Sequence, residues 1–303
     1  MRVSVIVMTH SRPLSLRRCL ESLVAQTMPQ EAFELVVVDV STPEVGYVLA
    51  EFADRLHLIH HVGPNLGVAG NRNTGVARAE APVIAFLDDD CVAAPDWLER
   101  ITARVEANPR CLVGGLVEHP APANSYAAAG QVITEAVDAF FNPPGSEPRF
   151  LPGLNFAVER EGYLAIGGCD GRFGRLAAED RDFIDRWRIA SGGLVACPDA
   201  VVRHEHRAAL RGFVRQYFNY GRGAWRYHSL RRKRSSGRMA EDLRLHLGLP
   251  SYLGQPLGRL APGMKARVIA LLGVWQLANL AGFLWQGALE TIVGRNDLEK
   301  SSP

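Results

Sequence analysis

Two hydrophobic rhythms alternate along the first ninety residues. VSVIVM (residues 3–8), FELVVVDV (33–40) and PVIAFL (82–87) are apolar, largely β-branched runs with little polar interruption, the pattern of strands buried on both faces. Between the first two, SRPLSLRRCLESLVAQ (11–26) opens on Ser11 as a cap with Pro13 in the first turn. It spaces Leu16, Cys19, Leu20, Leu23 and Val24 along one side of a helix. Residues 52–62 hold a helix end and a further strand. Buried strands separated by helices predict a mostly parallel, doubly wound α/β sheet covered on both sides.

Beyond residue 110 the rhythm loosens. CLVGGLVEH (111–119) and RFLPGLNFAVER (149–160) have strand character, with Pro-rich loops HPAPANSY and FNPPGSEPRF between them. AAEDRDFIDRWRIASGG (177–193) predicts a helix whose apolar side is Phe183, Ile184, Trp187 and Ile189, ended by glycines. Asp182 is expected on its surface. Short strands GLVACP and AVVRHEH follow. The expected division is a catalytic α/β domain over 1–205, with halves 1–109 and 110–205, and a helical region over 206–303. Within that region residues 268–289 carry no charge and are flanked by Arg267 and Glu290. The length permits a membrane span. Gln276, Asn279 and Gln286, however, fall within about 80° of one another by the helical period, which favours a helix lying in the membrane interface or packed on the domain.

Charge changes the picture locally. The net charge is +2, yet residues 203–238 hold eleven Lys or Arg against one acid, Glu205, so this segment carries +10 and the remainder −8. The chain as a whole is not of nucleic-acid-binding type. On a helical wheel Arg207, Arg211, Arg215, Arg222 and Arg226 occupy about 100° of arc beside Leu210, Phe213, Val214 and Tyr217; Gly221 and Gly223 are positions where such a helix would be interrupted. The segment suits an anionic membrane surface or a lipid-diphosphate acceptor. Five cysteines without CxxC spacing predict reduced thiols, and MRVSVIVMTH lacks a signal-peptide pattern. The expected location is cytoplasmic, peripheral on the inner face of the cell membrane.

The stretch AFLDDDC (85–91) drives an apolar strand into three aspartates. If the strand continued, Asp88 and Asp90 would share a face about 6.6 Å apart and repel by about 2.5 kcal/mol at a dielectric near 20. A solvated acidic loop or a cap for the helix at PDWLER is one explanation. A hard divalent cation, Mn²⁺ or Mg²⁺, shared with a phosphate is the other. Ligands of such sheets lie beyond the strand carboxyl ends. Thr9 and His10, Asp39, and Asp88 to Asp90 all fall there, which favours the cation. NLGVAGNRNTGVARA (65–79) is glycine-rich but is no GxGxxG fingerprint; Arg72 within it is placed to meet a phosphate or a base.

VSVIVMTHSRP, ELVVVDVS, NLGVAGNRNTG, FLDDDC with PDWL, and AAEDRDF, in this order, resemble family 2 glycosyltransferases of the GT-A fold over about residues 1 to 205. The resemblance implies inverting transfer from a nucleoside-diphosphate sugar to a saccharide, lipid-linked or small-molecule hydroxyl, with Mn²⁺ or Mg²⁺ as cofactor. By position it implies nucleobase contacts at Thr9 and Asp39 with Arg72 beside them, and a nucleotide side that also takes in His10, Arg12 and Asp89. Asp88 corresponds to the ribose-side acid, Asp90 to the metal ligand, and Asp180 to the general base, with Glu179 its close rival. His204 resembles a histidine that joins the metal or diphosphate; with His206 alone it makes no zinc site.

Two other classes fit less well. A sugar-phosphate nucleotidyltransferase needs a glycine-rich phosphate loop after the first strand, where MTHSRPLSL offers Arg12 but no glycine. A non-catalytic sugar-nucleotide binder or scaffold would tolerate loss of the acidic pair or of the base, and both are present.

Overall fold

In a computed structural model, residues 1–190, 192–204 and 209–300 are described, with side chains up to residue 292 apart from Glu241. His206 and Arg207 lie outside the described residues. The strands are β1 (Val3–Thr9), β2 (Phe33–Asp39), β3 (Leu58–Val62), β4 (Val83–Asp88), β5 (Cys91–Ala93), β6 (Cys111–Glu118), β7 (Asn155–Glu159) and β8 (Gly193–His204). The helices are α1 (Pro13–Val24), α2 (Gly46–Ala50), α3 (Gly67–Val76), α4 (Trp97–Ala107), α5 (Ser125–Phe141), α6 (Arg160–Ala165), α7 (Glu179–Ile189), α8 (Leu210–Arg234), α9 (Met239–Gly248), α10 (Pro250–Gly258) and α11 (Pro262–Lys300). Two compact units form. The first takes Met1–Ala121, Phe141–Gly174 and Phe183–Glu205; the second takes Pro122–Phe140, Arg175–Asp182 and His206–Pro303.

The first unit is one sheet in the order β3-β2-β1-β4-β7-β6-β8-β5. β1 to β4 are parallel to one another, β7 runs antiparallel between β4 and β6, β6 and β8 are parallel, and β5 is antiparallel to β8. Because successive strand side chains alternate faces, the apolar runs supply two cores. Val5, Val7, Leu35, Val37, Ala85 and Leu87 meet Leu16, Leu20 and Leu23 of α1 and Trp97 and Ile101 of α4. On the other face Ile6, Val36, Ile84, Phe86 and Phe156 meet Ala69 of α3, Tyr163 of α6, and Phe183 and Trp187 of α7. Ile189, expected on the apolar side of α7, is exposed.

Asn155 explains how an antiparallel strand is tied into this sheet. Fully buried, it accepts from Trp97 Nε1 at 2.8 Å and donates to the carbonyls of Leu116 and Ala200. The five cysteines are free thiols, and burial pushes the thiols of Cys19 and Cys91 up.

The second unit is helical. Its core joins Ala128, Val132 and Ile133 of α5, Phe213 and Tyr217 of α8, and Leu271, Leu272 and Trp275 of α11. α5 was not anticipated from the sequence; its buried side is built largely of small residues, Ala127 to Ala129 and Ala136, with Val132 and Ile133. α8 runs unbroken through Gly221 and Gly223. A Cβ at Gly221 would run into the Asn279 backbone, and one at Gly223 into that of Ala177. Helix interruption is therefore not what these glycines do; they permit close approach. The polar side of α11 is turned inward: Gln286, 5 % exposed, accepts from Arg222 Nε at 3.0 Å, and Gln276 Oε1 lies 2.9 Å from His246 Nδ1. Leu277, Leu280, Leu284 and Trp285 face outward.

Candidate active site

In the first unit the parallel register brings three strand ends level. Thr9 pairs with Asp39, and Asp88 pairs with Met8. β4 stops at Asp88, and Asp89 and Asp90 form a turn rather than a continued strand. That turn hands the chain to β5, where Cys91 pairs with His204 at the end of β8. The extended spacing expected for Asp88 and Asp90 is thus replaced by a turn, and β5 delivers the histidine.

Around this turn the side chains interlock. Asp89, 3 % exposed, points inward: its Oδ2 accepts from Thr9 Oγ1 at 2.8 Å and its Oδ1 from Arg12 Nη1 at 3.0 Å. The same Arg12 nitrogen donates to Asp90 Oδ2 at 2.5 Å. Asp90 Oδ1 lies 3.4 Å from His204 Nε2. His119, at the end of β6 and missed in the sequence, has its ring 6.0 Å from that of His204, and its Nδ1 is 3.4 Å from the His204 carbonyl oxygen. The EH that ends CLVGGLVEH was the available signal.

Electrostatics distinguish the three acids. Burial raises Asp89 to about 7, against the nearby Arg12 charge. Burial also raises Asp88, opposed by Arg72. For Asp90 burial acts the same way, but His204, 3.4 Å away, and the charge of Arg12 outweigh it and hold the carboxyl below its ordinary range. His204 responds reciprocally: burial disfavours its cation, yet Asp90 raises it. Asp90 is therefore the acid kept charged.

The remaining nucleotide-side residues are more dispersed. Asp39 is fully buried; its Oδ1 accepts from Ser41 N at 2.9 Å and its Oδ2 from Val45 N at 2.8 Å, with His60 Nε2 at 3.4 Å. These bonds hold its carboxyl below the usual range despite burial, and they shape the loop after β2. Arg72 is 2 % exposed, donates to the Gly153 carbonyl at 2.6 Å, and has its guanidinium 5.6 Å from the ring centres of both Phe86 and Phe156. It reaches Asp88 through charge. His10 is exposed.

A hard cation fits part of this set. Among the described residues no three His, Cys, Asp or Glu side chains converge into a group that could hold a metal alone. Magnesium-like ions, however, are often bound by one or two carboxylates plus substrate phosphates. Asp90 Oδ1 is buried and faces His204 Nε2 at 3.4 Å without an aligned hydrogen bond, so it retains lone pairs for such an ion beside His204.

In the second unit, α7 begins on the remaining acids. Asp180 is half-buried, and its Oδ1 accepts from Arg181 N at 2.7 Å. Glu179 is buried. Asp182 corrects the sequence reading, which placed it on the surface: it is fully buried and pairs with Arg234 at 2.8 Å.

A model of the family described as "Glycosyl transferase family 2" matches residues 4–171. The chain belongs to glycosyl transferase family 2. It is 26 % identical to Glycosyltransferase AglE of Haloferax volcanii over 93 % of this chain and 95 % of that protein. It is 33 % identical to the Glucosyl-dolichyl phosphate glucuronosyltransferase of the same organism over 58 % of each. Among solved structures, the mannosyltransferase PcManGT from Pyrobaculum calidifontis, in complex with GDP-Man and Mn²⁺, superposes with a TM-score of 0.64 at 17 % identity, covering 96 % of this chain and 87 % of that one. The transferase thus has a GT-A-like fold: a mixed, mostly parallel sheet with C-terminal helices.

Proposed function

We propose that the transferase moves a sugar with inversion from a nucleoside-diphosphate donor to an acceptor hydroxyl, with Mn²⁺ or Mg²⁺ held by Asp90 and His204. The observation that carries this reading is Asp90, kept ionised by Arg12 and His204 at the carboxyl edge of the sheet, with one buried oxygen lacking a hydrogen bond. The GDP-Man and Mn²⁺ bound by the structurally similar mannosyltransferase support it. A lipid-linked acceptor is supported by the glucosyl-dolichyl phosphate in the name of the Haloferax relative.

The chemistry follows from the residues. Thr9, His10, Arg12 and Asp39 belong to the nucleotide side, with Arg72 acting through Asp88, the ribose-side acid. Asp89 holds Arg12 in place. Asp180 accepts the proton of the acceptor hydroxyl as that oxygen bonds to the anomeric carbon and the bond to the diphosphate oxygen breaks. Such general-base assistance contributes typically about 10²–10⁴-fold. When bound, the cation would supply positive charge for the departing diphosphate. We place the protein in the cytoplasm, docked on the inner face of the cell membrane through its helical unit.

A thermal-shift panel of UDP-, GDP- and dTDP-sugars with and without Mn²⁺ tests the donor and the metal together. One nucleotide class should raise the melting temperature in a Mn²⁺-dependent way, and Asp90→Ala should lose both that increment and turnover. Equal shifts in chelated and Mn²⁺-supplemented buffer would overturn the metal assignment.

A further inference from the structure

The first turn of α7 is held from several sides within the helical unit, by groups that the reaction itself does not use. Arg181, next to Asp180, sends its guanidinium away from the helix onto the face of Tyr227, 4.4 Å from the ring centre, and pairs with Asp242 of α9. The same Asp242 oxygen lies 3.1 Å from His228 Nε2. Asp242 is 8 % exposed, so this ion pair is largely removed from water. Just before the helix Ala178 takes a left-handed conformation, φ 70°, which a residue with a Cβ adopts only when its surroundings enforce it. Gly223 lets α8 press on the Ala177 backbone there. Asp180 itself leans on this frame, since its carboxylate accepts from the Arg181 backbone N–H.

We propose that Asp242 is a positioning residue for sugar transfer: by holding Arg181 it fixes the peptide that carries Asp180 in the geometry needed to take the acceptor proton. The inference rests on the reading of Asp180 as the general base. A buried ion pair is weak support for stability as such, because desolvation offsets much of its attraction. A geometric role accounts for its place beside that one residue. Displacing a catalytic group by about 1 Å can cost about 100-fold in rate.

The test compares kcat and donor KM for nucleoside-diphosphate release, using the panel sugar that supports transfer and, as acceptor, glucosyl-dolichyl phosphate, whose glucose offers the hydroxyl. Asp242→Asn is expected to lower kcat about 10- to 100-fold with donor KM within about twofold of wild type. Asp242→Glu, which keeps the charge, should recover most of the loss. Leu245→Ala, a buried change in the same helix, should lower the melting temperature and spare kcat. If Asp242→Asn fails to fold, His228→Phe keeps the Arg181 pair, removes one partner of Asp242, and should lower kcat about threefold, at the small end of the same geometric effect. Wild-type kcat in the folded Asp242→Asn protein, or in His228→Phe in its place, overturns the proposal. Asp180→Asn separates the two ideas: if it retains turnover, the base assignment falls, whereas an inactive Asp180→Asn beside a fully active Asp242→Asn removes the positioning role alone.

Discussion

At the scale of single residues, the adjacent acids Asp89 and Asp90 are built for opposite tasks. Asp89 is turned into the protein and raised to about 7, mainly by burial; Asp90 is held charged by its two cationic neighbours. The consequence for stability has a definite sign. A carboxyl whose folded value lies above the ordinary 3.9 or so binds its proton more readily in the folded state. Its contribution is present below about 4 and is lost as the pH rises towards 7. Asp89→Asn should therefore flatten the decline of stability between about pH 4 and pH 7, followed by urea midpoints, and on the metal role proposed above it should keep the Mn²⁺ response. Asp90→Asn should leave that stretch of the pH profile unchanged, because the Asp90 carboxyl is held below its ordinary value, and on the metal role proposed above it should remove the Mn²⁺ response. The sequence showed the acid cluster and its place after a strand, because hydrophobicity and charge are local properties. It could not show which carboxylate turned inward. That depends on Thr9 and Arg12, about eighty positions earlier, and on His204, brought opposite Cys91 by strand pairing.

At the scale of elements, periodicity located β1, β2, β4, α1 and α7 well, since each has a strong stripe or an unbroken apolar run. It was poor at glycine. In isolation Gly221 and Gly223 lower helix propensity, yet in α8 they lie where neighbouring backbone leaves no room for a side chain. The stability gained by packing outweighs the local propensity. It follows that Gly221→Ala, which favours an isolated helix by about 1 kcal/mol, should destabilise the protein by about 1–3 kcal/mol through overpacking against α11. The urea midpoint should fall, and so should the ellipticity retained near it. A gain in stability would mean that the two helices can separate freely at this point. The arginine stripe of α8 was likewise legible as a stripe but not in its direction. Arg222 and Arg226 engage Gln286 and Glu290 of α11, while Arg211 and Arg215 face solvent.

For the whole molecule, the distribution of charge and apolar surface bears on the membrane docking proposed above. The helical unit holds eighteen Lys or Arg and ten Asp or Glu, a net +8, leaving −6 for the sheet unit. By length and composition α11 is long and apolar enough to cross a bilayer. Its polar groups, however, bind Arg222 and Arg226 of the helix alongside, and a span would draw those cations into hydrocarbon, where they are costly. A helix lying in the interface avoids that cost. It keeps the polar face on α8 and sets Leu277, Leu280, Leu284 and Trp285 towards lipid, with exposed Lys265 and Arg267 near one end to meet anionic headgroups. The protein should therefore pellet with phosphatidylglycerol vesicles more than with phosphatidylcholine vesicles. Raising the salt concentration should erode that preference and leave the apolar part of the binding. Leu277→Glu together with Leu284→Glu should weaken binding by at least about a hundredfold, since two leucines contribute about 1.5–3 kcal/mol each when fully buried, and should leave the folded helical content unchanged. Equal pelleting of the double variant, or a dimer in sedimentation equilibrium that dissociates on the same substitutions, would assign this face to protein rather than to lipid.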